Sequence, residues 1–499
     1  MSLTGRAAVR AAATSVAVAA LLLGAGAPGP VDRPVGPDER VVGTSMPDRP
    51  TLPTTTVVEA PEPADRAVAM SRLLHVRAEV VVVAGEAAAE ELAASAAVRL
   101  RAPALSSTAP GLADEIDRLG ARTVLVIGGG PGVHPDERLV RAVGREVDAA
   151  VSELRPTAAD DPPGADVVLL TRDPAADRLA VATAAGAEVV AVPGGDARGE
   201  PGAVRALRDG PERPAIVLGP DWADPAYTLD VLRHAPEQPG GGHLVLPGRH
   251  LVALYGHPQT AALGLLGEQD PAASVERVRA LAAEYAALDA APVVPTFEII
   301  ATIASAGPGA DGDYSDETPV GVLRPWVDAA RDAGVYVILD LQPGRTDFLT
   351  QARLYADLLA EPHVGLALDP EWRLRADQVH LRQIGTVTTA EINAVGDWLA
   401  ALTRDRRLPQ KLFVLHQFSR SMITEREQLA TGRAELATVV HVDGQGAQPD
   451  KRSTWAVIRD GAPPGLFWGW KNFIDEDLPM ATPAETWAVD PRPDLVTYQ

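Results

Sequence analysis

From residue 249 to the C-terminus, short apolar runs recur, and each ends in an ionisable or aromatic side chain before a helical stretch begins. The runs are 251–255 (LVALY), 294–299 (VPTFEI), 335–341 (VYVILDL), 364–369 (VGLALD), 412–416 (LFVLH), 438–443 (TVVHVD) and 466–470 (LFWGW). Strands that are apolar at consecutive positions are buried on both faces, as in parallel sheets covered by helices. Helical stretches at 273–288, 323–333, 347–359 and 389–402 separate most of the runs. Seven βα units approach the eight of a TIM-like (β/α) barrel over residues 245–499. An eighth strand is expected to be irregular or to come from the segment before Leu251. An open doubly wound sheet is the competing architecture.

The preceding half has a different core. Of 8 Trp, 7 Tyr and 6 Phe, only Trp222 and Tyr227 precede residue 250, so residues 65–238 must pack on Val, Leu and Ala. Runs at 79–84, 123–127, 166–170, 188–192 and 215–218 alternate with Ala-rich helical stretches, which predicts an N-terminal parallel α/β domain. Gly128-Gly129-Gly130 lacks the spacing of a dinucleotide fingerprint and the Lys of a P-loop, so it is expected to be a tight strand-to-helix turn. Upstream, Arg6 and Arg10 precede an apolar stretch at 11–23 and the small residues Ala25-Gly26-Ala27, the pattern of an export signal over 1–27. Residues 28–64, rich in Pro, Thr and acids, read as a disordered spacer. These features predict a secreted or wall-associated protein without stable membrane insertion. A net charge of −22 argues against nucleic acid as a partner. With no Cys, thiol catalysis and Cys-ligated zinc are excluded.

The chemistry is expected at the strand tips, because in βα barrels the site forms where strands end. In order, the tips carry Tyr255 and His257, Glu298, Asp340 and Gln342, Asp369 and Glu371, His416 and Gln417, His441 and Asp443, and Trp470 and Lys471. Carboxylates ringed by His, Gln, Tyr and Trp suit carbohydrate: glycosidic cleavage needs one carboxylic acid and one carboxylate. Asp369-Pro370-Glu371-Trp372 is the leading cluster, with Glu371 as general acid and Asp369 tuning it. Asp340 or Asp443 would be base or nucleophile. Tyr255, His257, Glu298, Gln342, His416, Gln417, His441, Trp470 and Lys471 would bind substrate, with Tyr255 and Trp470 as platforms. Plainer roles exist: Asp369 and Glu371 could cap a loop, Glu298 could face outward, and Lys471 could pair with Asp443.

Two resemblances add to this. Residues 81–106 (VVVAGEAAAEELAASAAVRLRAPALS) and 111–132 (GLADEIDRLGARTVLVIGGGPG) resemble the cell-wall-binding repeats of secreted Gram-positive proteins, and 165–220 is similar to a further copy. Glu90-Glu91-Leu92 departs from that family's Asp-Ala-Leu. Tyr255-Gly256-His257-Pro258, DLQPGR from Asp340, LDPEW from Leu368, EINAV from Glu391, LPQKLFVLHQF from Leu408 and HVDGQG from His441 together resemble an exported actinobacterial family with a glycosidase-like barrel. The first resemblance implies wall binding and the second a glycosidase-like barrel; with the carboxylates converging at the strand tips, the expectation is a glycoside hydrolase acting on a carbohydrate or cell-wall polymer, without cofactor or metal. The alternative is a non-catalytic, glycan-binding surface protein.

A metal-dependent hydrolase would have to draw ligands from His257, His416, His441, Asp340, Asp369 and Asp443 on separate strands, as no His-x-His or His-Glu-x-x-His spacing occurs. The run from Asp311 to Ser315 resembles the start of a calcium loop, but Val322 stands where the bidentate Glu would be, leaving a solvated acidic loop. No Gly-x-Ser-x-Gly elbow supports serine chemistry, and Ser419 and Ser421 read as loop residues.

Overall fold

The computed structural model describes residues 52–129, 139–154 and 161–499. The expected export signal and the spacer as far as residue 51 lie outside the described residues, as does Gly130. No helix among the described residues is long and apolar enough to cross a membrane.

The C-terminal part is a closed barrel of eight parallel strands, not an open sheet. In chain order these are His250–Gly256, Val293–Ala304, Tyr336–Leu341, Val364–Leu368, Lys411–His416, Leu436–Val442, Phe467–Asn472 and Leu495–Tyr498. Each pairs with the next, and the eighth closes the ring on the first through Leu495↔Leu251 to Tyr498↔Leu254. The seven expected runs are the first seven strands. The eighth is neither irregular nor upstream of Leu251: it comes from the chain's last residues. Tyr498 anchors it, its hydroxyl 2.5 Å from that of Tyr285 on the helix Pro271–Ala286.

Alternation along each strand divides the barrel into layers. Outward side chains such as Leu254, Phe297, Val337 and Phe413 pack on the helices through Val278, Tyr285, Leu323 and Trp326. Inward, the lower half is apolar: Leu251, Val294, Tyr336, Ile338, Leu412, Val414 and Val439 fill it. Val245 and Leu246 from the segment before the first strand join this cluster and plug the floor. Above, the inward positions turn polar and ionisable.

The N-terminal part holds two four-stranded parallel sheets. One runs Ala104–Ser106, Val80–Ala84, Thr123–Ile127, Leu139–Ala142; the other runs Glu188–Ala191, Val168–Thr171, Ala215–Leu218, Thr55–Val58. In each, the strand that follows Val80–Ala84 or Val168–Thr171 in the chain lies on one side of it and the next strand on the other, but the fourth differs: Leu139–Ala142 follows the other three in the chain, whereas Thr55–Val58 precedes them. The described end of the expected spacer is therefore structured, since Thr55–Val58 supplies the outer strand of the second sheet and a helix begins at Pro63. That helix, Pro63–Leu74, ties the sheets together. Arg66 bonds the buried Asp177 at 2.6 Å, and Ser71 donates to the buried Glu115 at 2.6 Å. As the scarcity of aromatics required, the larger core here is Val, Leu, Ile and Ala.

This part meets the barrel from below. Tyr227 donates to Leu408 O at 2.9 Å and Arg198 to Ala434 O at 2.8 Å, and both acceptors precede strands at their N-terminal ends. The mouth, where the strands end, is left open.

Tyr336 fills the floor over Gly365, and its hydroxyl accepts from Leu412 N at 3.1 Å. A Cβ on Gly365 would come within 2.7 Å of Leu412 O and 3.0 Å of the Tyr336 hydroxyl. Gly365→Ala is expected to cost about 1–3 kcal/mol of stability, read as a lower urea midpoint. An unchanged midpoint would contradict this packing.

Candidate active site at the barrel mouth

The ionisable layer starts from His416, fully buried at the end of the fifth strand. Its Nδ1 lies 2.9 Å from Asp443 Oδ2 and its Nε2 2.9 Å from Glu298 Oε1, with Asp340 Oδ1 at 3.9 Å. Carboxylates accept at both nitrogens, so both carry protons and the ring is an imidazolium. Burial works against that charge, but the charges of Asp340 and Glu298 and the bonds to Asp443 and Glu298 outweigh it, raising the pKa well above the usual value. His441, edge-on to His416 with ring centroids 4.8 Å apart, is held neutral by burial and by the neighbouring cation. Its Nε2 lies 3.1 Å from Thr497 Oγ1.

Around this centre the carboxyls fall into two levels. Glu298 and Asp340 are the lower pair, fully buried; Asp340 accepts from the Tyr255 hydroxyl at 2.9 Å. Asp369, Glu371 and Asp443 form the upper level and line a cavity of about 490 Å³ together with Tyr255, Gln342 and Lys471. Trp372, Phe418 and Phe473 supply its aromatic walls. The Lys471 ammonium sits 3.6 Å from the centre of the Tyr255 ring, a cation–π contact; it forms no ion pair with Asp443.

Proton affinities diverge across the upper level. Burial and the Asp443 charge push Glu371 up to about 7. Burial and Glu371 push Asp369 well above the carboxylate range. Burial also raises Asp340. Asp443 goes the other way: burial opposes its charge, but the bond from His416 and the charges of His416 and Lys471 hold it below its usual value. One carboxyl oxygen each of Glu298, Asp340, Asp369 and Asp443 is buried without a hydrogen-bond partner, and such atoms call for a ligand or a proton.

Ten of the thirteen expected site residues meet in this layer, and three do not. Trp470 points outward, packing on Trp455 with ring centroids 5.6 Å apart and donating to Asn472 at 2.9 Å. Gln417 also faces away from the cavity, bonded to Ser419 O and accepting from Arg426. His257 leaves the strand for a turn, its Nε2 3.0 Å from Thr318 Oγ1 and its Nδ1 accepting from Gln259 N. The reason is common to Trp470 and Gln417: neighbours on a strand face opposite sides, so only one of His416/Gln417 and one of Trp470/Lys471 can point inward. The same alternation continued two residues from Lys471 gives Phe473, which with Phe418 is absent from the residues expected at the site, whereas Trp372 belongs to the expected Asp369–Trp372 cluster. Glu298 is inward, not at an outer edge. Asp313 is buried rather than solvated, accepting from Ser315 N and Thr346 Oγ1, both at 2.8 Å.

Two trios, Glu298–His416–His441 and Asp369–His416–Asp443, bring possible metal-binding atoms within 4.8 Å of one another. His416 belongs to both, and as an imidazolium it offers no lone pair, so a metal would first have to displace its proton. No protein-family model matches the chain, and no curated protein matches it in sequence.

The two histidines carry opposite pH dependences. A raised folded-state pKa means His416 stabilises the fold fully below the unfolded value near 6.5 and loses that contribution as pH rises through the folded value. His441, with a lowered pKa, costs stability as pH falls below about 6.5. Long-range ¹H–¹⁵N spectra at pH 7.5 are expected to show two N–H groups on His416 and one on His441. A singly protonated His416 would contradict the arrangement.

Proposed function

We propose that the barrel mouth is a glycoside-hydrolase site acting on a cell-envelope polysaccharide or peptidoglycan glycan. One observation carries this reading: Glu371 and Asp443 line one cavity with their proton affinities pushed apart, Glu371 up to about 7 and Asp443 downward. Such a pair assigns an acid and a base to separate carboxyls. Glu371 donates its proton to the leaving glycosidic oxygen. Asp443 serves the anomeric carbon, as base towards water or as nucleophile. Asp443, rather than Asp369, supplies the charge that raises Glu371, and Asp369 remains a protonated donor to a hydroxyl. Asp340 lies behind Tyr255 and orients it, while Gln342 and Lys471 bond hydroxyls. Trp372, Phe418 and Phe473 offer faces to sugar rings.

The N-terminal sheets are read as wall-binding repeats on an exported protein, supported by the order that three consecutive strands of each sheet share. Their attachment under the barrel floor leaves the mouth free to reach polymer while the other end is held.

Glu371→Gln is expected to lower kcat by about 10²–10⁴-fold while retaining glycan binding. The pH profile of kcat should fall on its basic side near 7, where Glu371 loses its proton. On the acid side it should persist below the ordinary carboxylate range, until Asp443 is neutralised. Wild-type-like turnover by the variant would remove Glu371 from the reaction. Activity lost to a chelator and restored by a divalent ion would instead favour metal-assisted hydrolysis.

A further inference from the structure

A second, shallower cavity of about 320 Å³ adjoins the first, and Glu371 and Trp372 line both. Its remaining walls are Leu381, Arg382, Gln383 and Ile384. Both volumes fall within the roughly 300–1,000 Å³ of ligand pockets. We propose that this second cavity is the leaving-group subsite, so that the substrate is an oligosaccharide chain lying across Glu371 and not a single sugar. The inference rests on the hydrolase reading of the mouth.

The argument is geometric. A general acid must reach the glycosidic oxygen, which lies between the two sugars that the bond joins. A side chain forming the boundary of two cavities meets that requirement when one sugar fills each. The deep cavity holds Asp443 and is therefore the side where the anomeric carbon sits. The departing sugar then falls in the shallow one.

Its walls suit such an occupant. Leu381 is 89% exposed and Ile384 47%, apolar surface for the C–H face of a pyranose, while Arg382 and Gln383 supply donors for hydroxyls. Leu381 also has φ 62°, a left-handed conformation unusual for a branched side chain. The loop is nonetheless firmly seated. Gly385 N donates to Glu371 O at 2.7 Å, and a Cβ on Gly385 would come within 2.4 Å of the carbonyls of both Glu371 and Pro370. His380 packs edge-on to Trp372 with ring centroids 5.3 Å apart and lies 2.9 Å from Tyr314 O. On the shared wall, the buried Trp372 indole N–H has no partner. The loop thus holds apolar side chains in water beside the acid, and its backbone is bonded to that acid's own carbonyl.

The test uses the full chain and the double substitution Leu381→Ser/Ile384→Ser, both on exposed positions outside the catalytic machinery. Probes are the tetrasaccharides of peptidoglycan glycan, chitin, cellulose, xylan and amylose, with the glycosyl fluorides of their sugars, whose leaving group is too small to fill a subsite. The variant is expected to lose about tenfold or more in kcat/KM on the tetrasaccharide that the protein cleaves, with the fluoride hydrolysed at the original rate. In the Glu371→Gln background it should weaken tetrasaccharide binding by a similar factor and leave monosaccharide binding unchanged. Unchanged tetrasaccharide turnover and binding would overturn the subsite, as would equal losses on tetrasaccharide and fluoride. If the unaltered protein cleaves none of the probes, the hydrolase reading fails by itself. The groove is then judged on binding: length-dependent affinity that falls in the variant sustains it, and absence of binding overturns it.

Discussion

An imidazolium with no water around it must be neutralised by what touches it, because an unpaired buried charge costs several kcal/mol. His416 meets this condition by taking a carboxylate at each nitrogen, Asp443 on one side and Glu298 on the other. The arrangement binds three strands of the barrel to one ring: the fifth through His416, the second through Glu298, and the sixth through the residue just past its end. It also fixes which carboxyl of the upper level can be anionic. Asp443 takes the cation's hydrogen bond and keeps its charge; Glu371 feels that charge and keeps its proton. The divergence in proton affinity between Glu371 and Asp443 at the cavity surface is thus set one layer below it.

That layer needs a dry floor. Tyr336, Ile338, Leu412 and Val414 pack the lower barrel, Val245 and Leu246 close it, and the N-terminal part covers the same end through contacts to Leu408 and Ala434. Charges interact more strongly when water is excluded, so these apolar residues strengthen the coupling above them. Gly469 has a related role: a Cβ there would meet the His441 ring at 2.3 Å, so the absence of a side chain makes room for the second imidazole beside the first.

Much of this could be read from the sequence because it rests on local pattern. Continuous apolar runs such as VYVILDL announce a strand buried on both sides, and the polar residue at its end marks the mouth; seven strands follow from that, while the choice between a closed barrel and an open sheet does not. The eighth strand carries too little signal. LVTY is four residues long, follows Pro491 and Pro493, and is preceded by a helix of only five residues, Pro483–Trp487. What makes it a strand is the gap between Phe467–Asn472 and His250–Gly256, and ring closure is not a local property. Side-chain direction is also legible: strict alternation separates His416 from Gln417 and Lys471 from Trp470. The direction of Glu371 could not be obtained so, since Pro370–Trp372 leaves the strand as a 3₁₀ turn. Its place at the boundary of two cavities depends on a loop whose anchoring glycine, Gly385, lies fourteen residues away.

The number of acids at the mouth bears on why any of them stays protonated. Glu298, Asp340, Asp369, Glu371 and Asp443 are five carboxyls gathered around two cations, His416 and Lys471. Were all ionised, the excess negative charge would sit in a region where Glu298 and Asp340 have no contact with solvent. Desolvation and mutual repulsion both oppose that, so protons must remain on some of them. Asp340, Asp369 and Glu371 are the three pushed upward. Asp340 is enclosed behind Tyr255, and Asp369, although at the cavity, is the more deeply buried of the other two. Glu371 alone combines a proton held to near neutrality with a partly exposed position on the wall of both cavities. An excess of buried acid over base is unfavourable as a structural device, but it is a direct way to keep a carboxylic acid charged with its proton where a departing oxygen could take it.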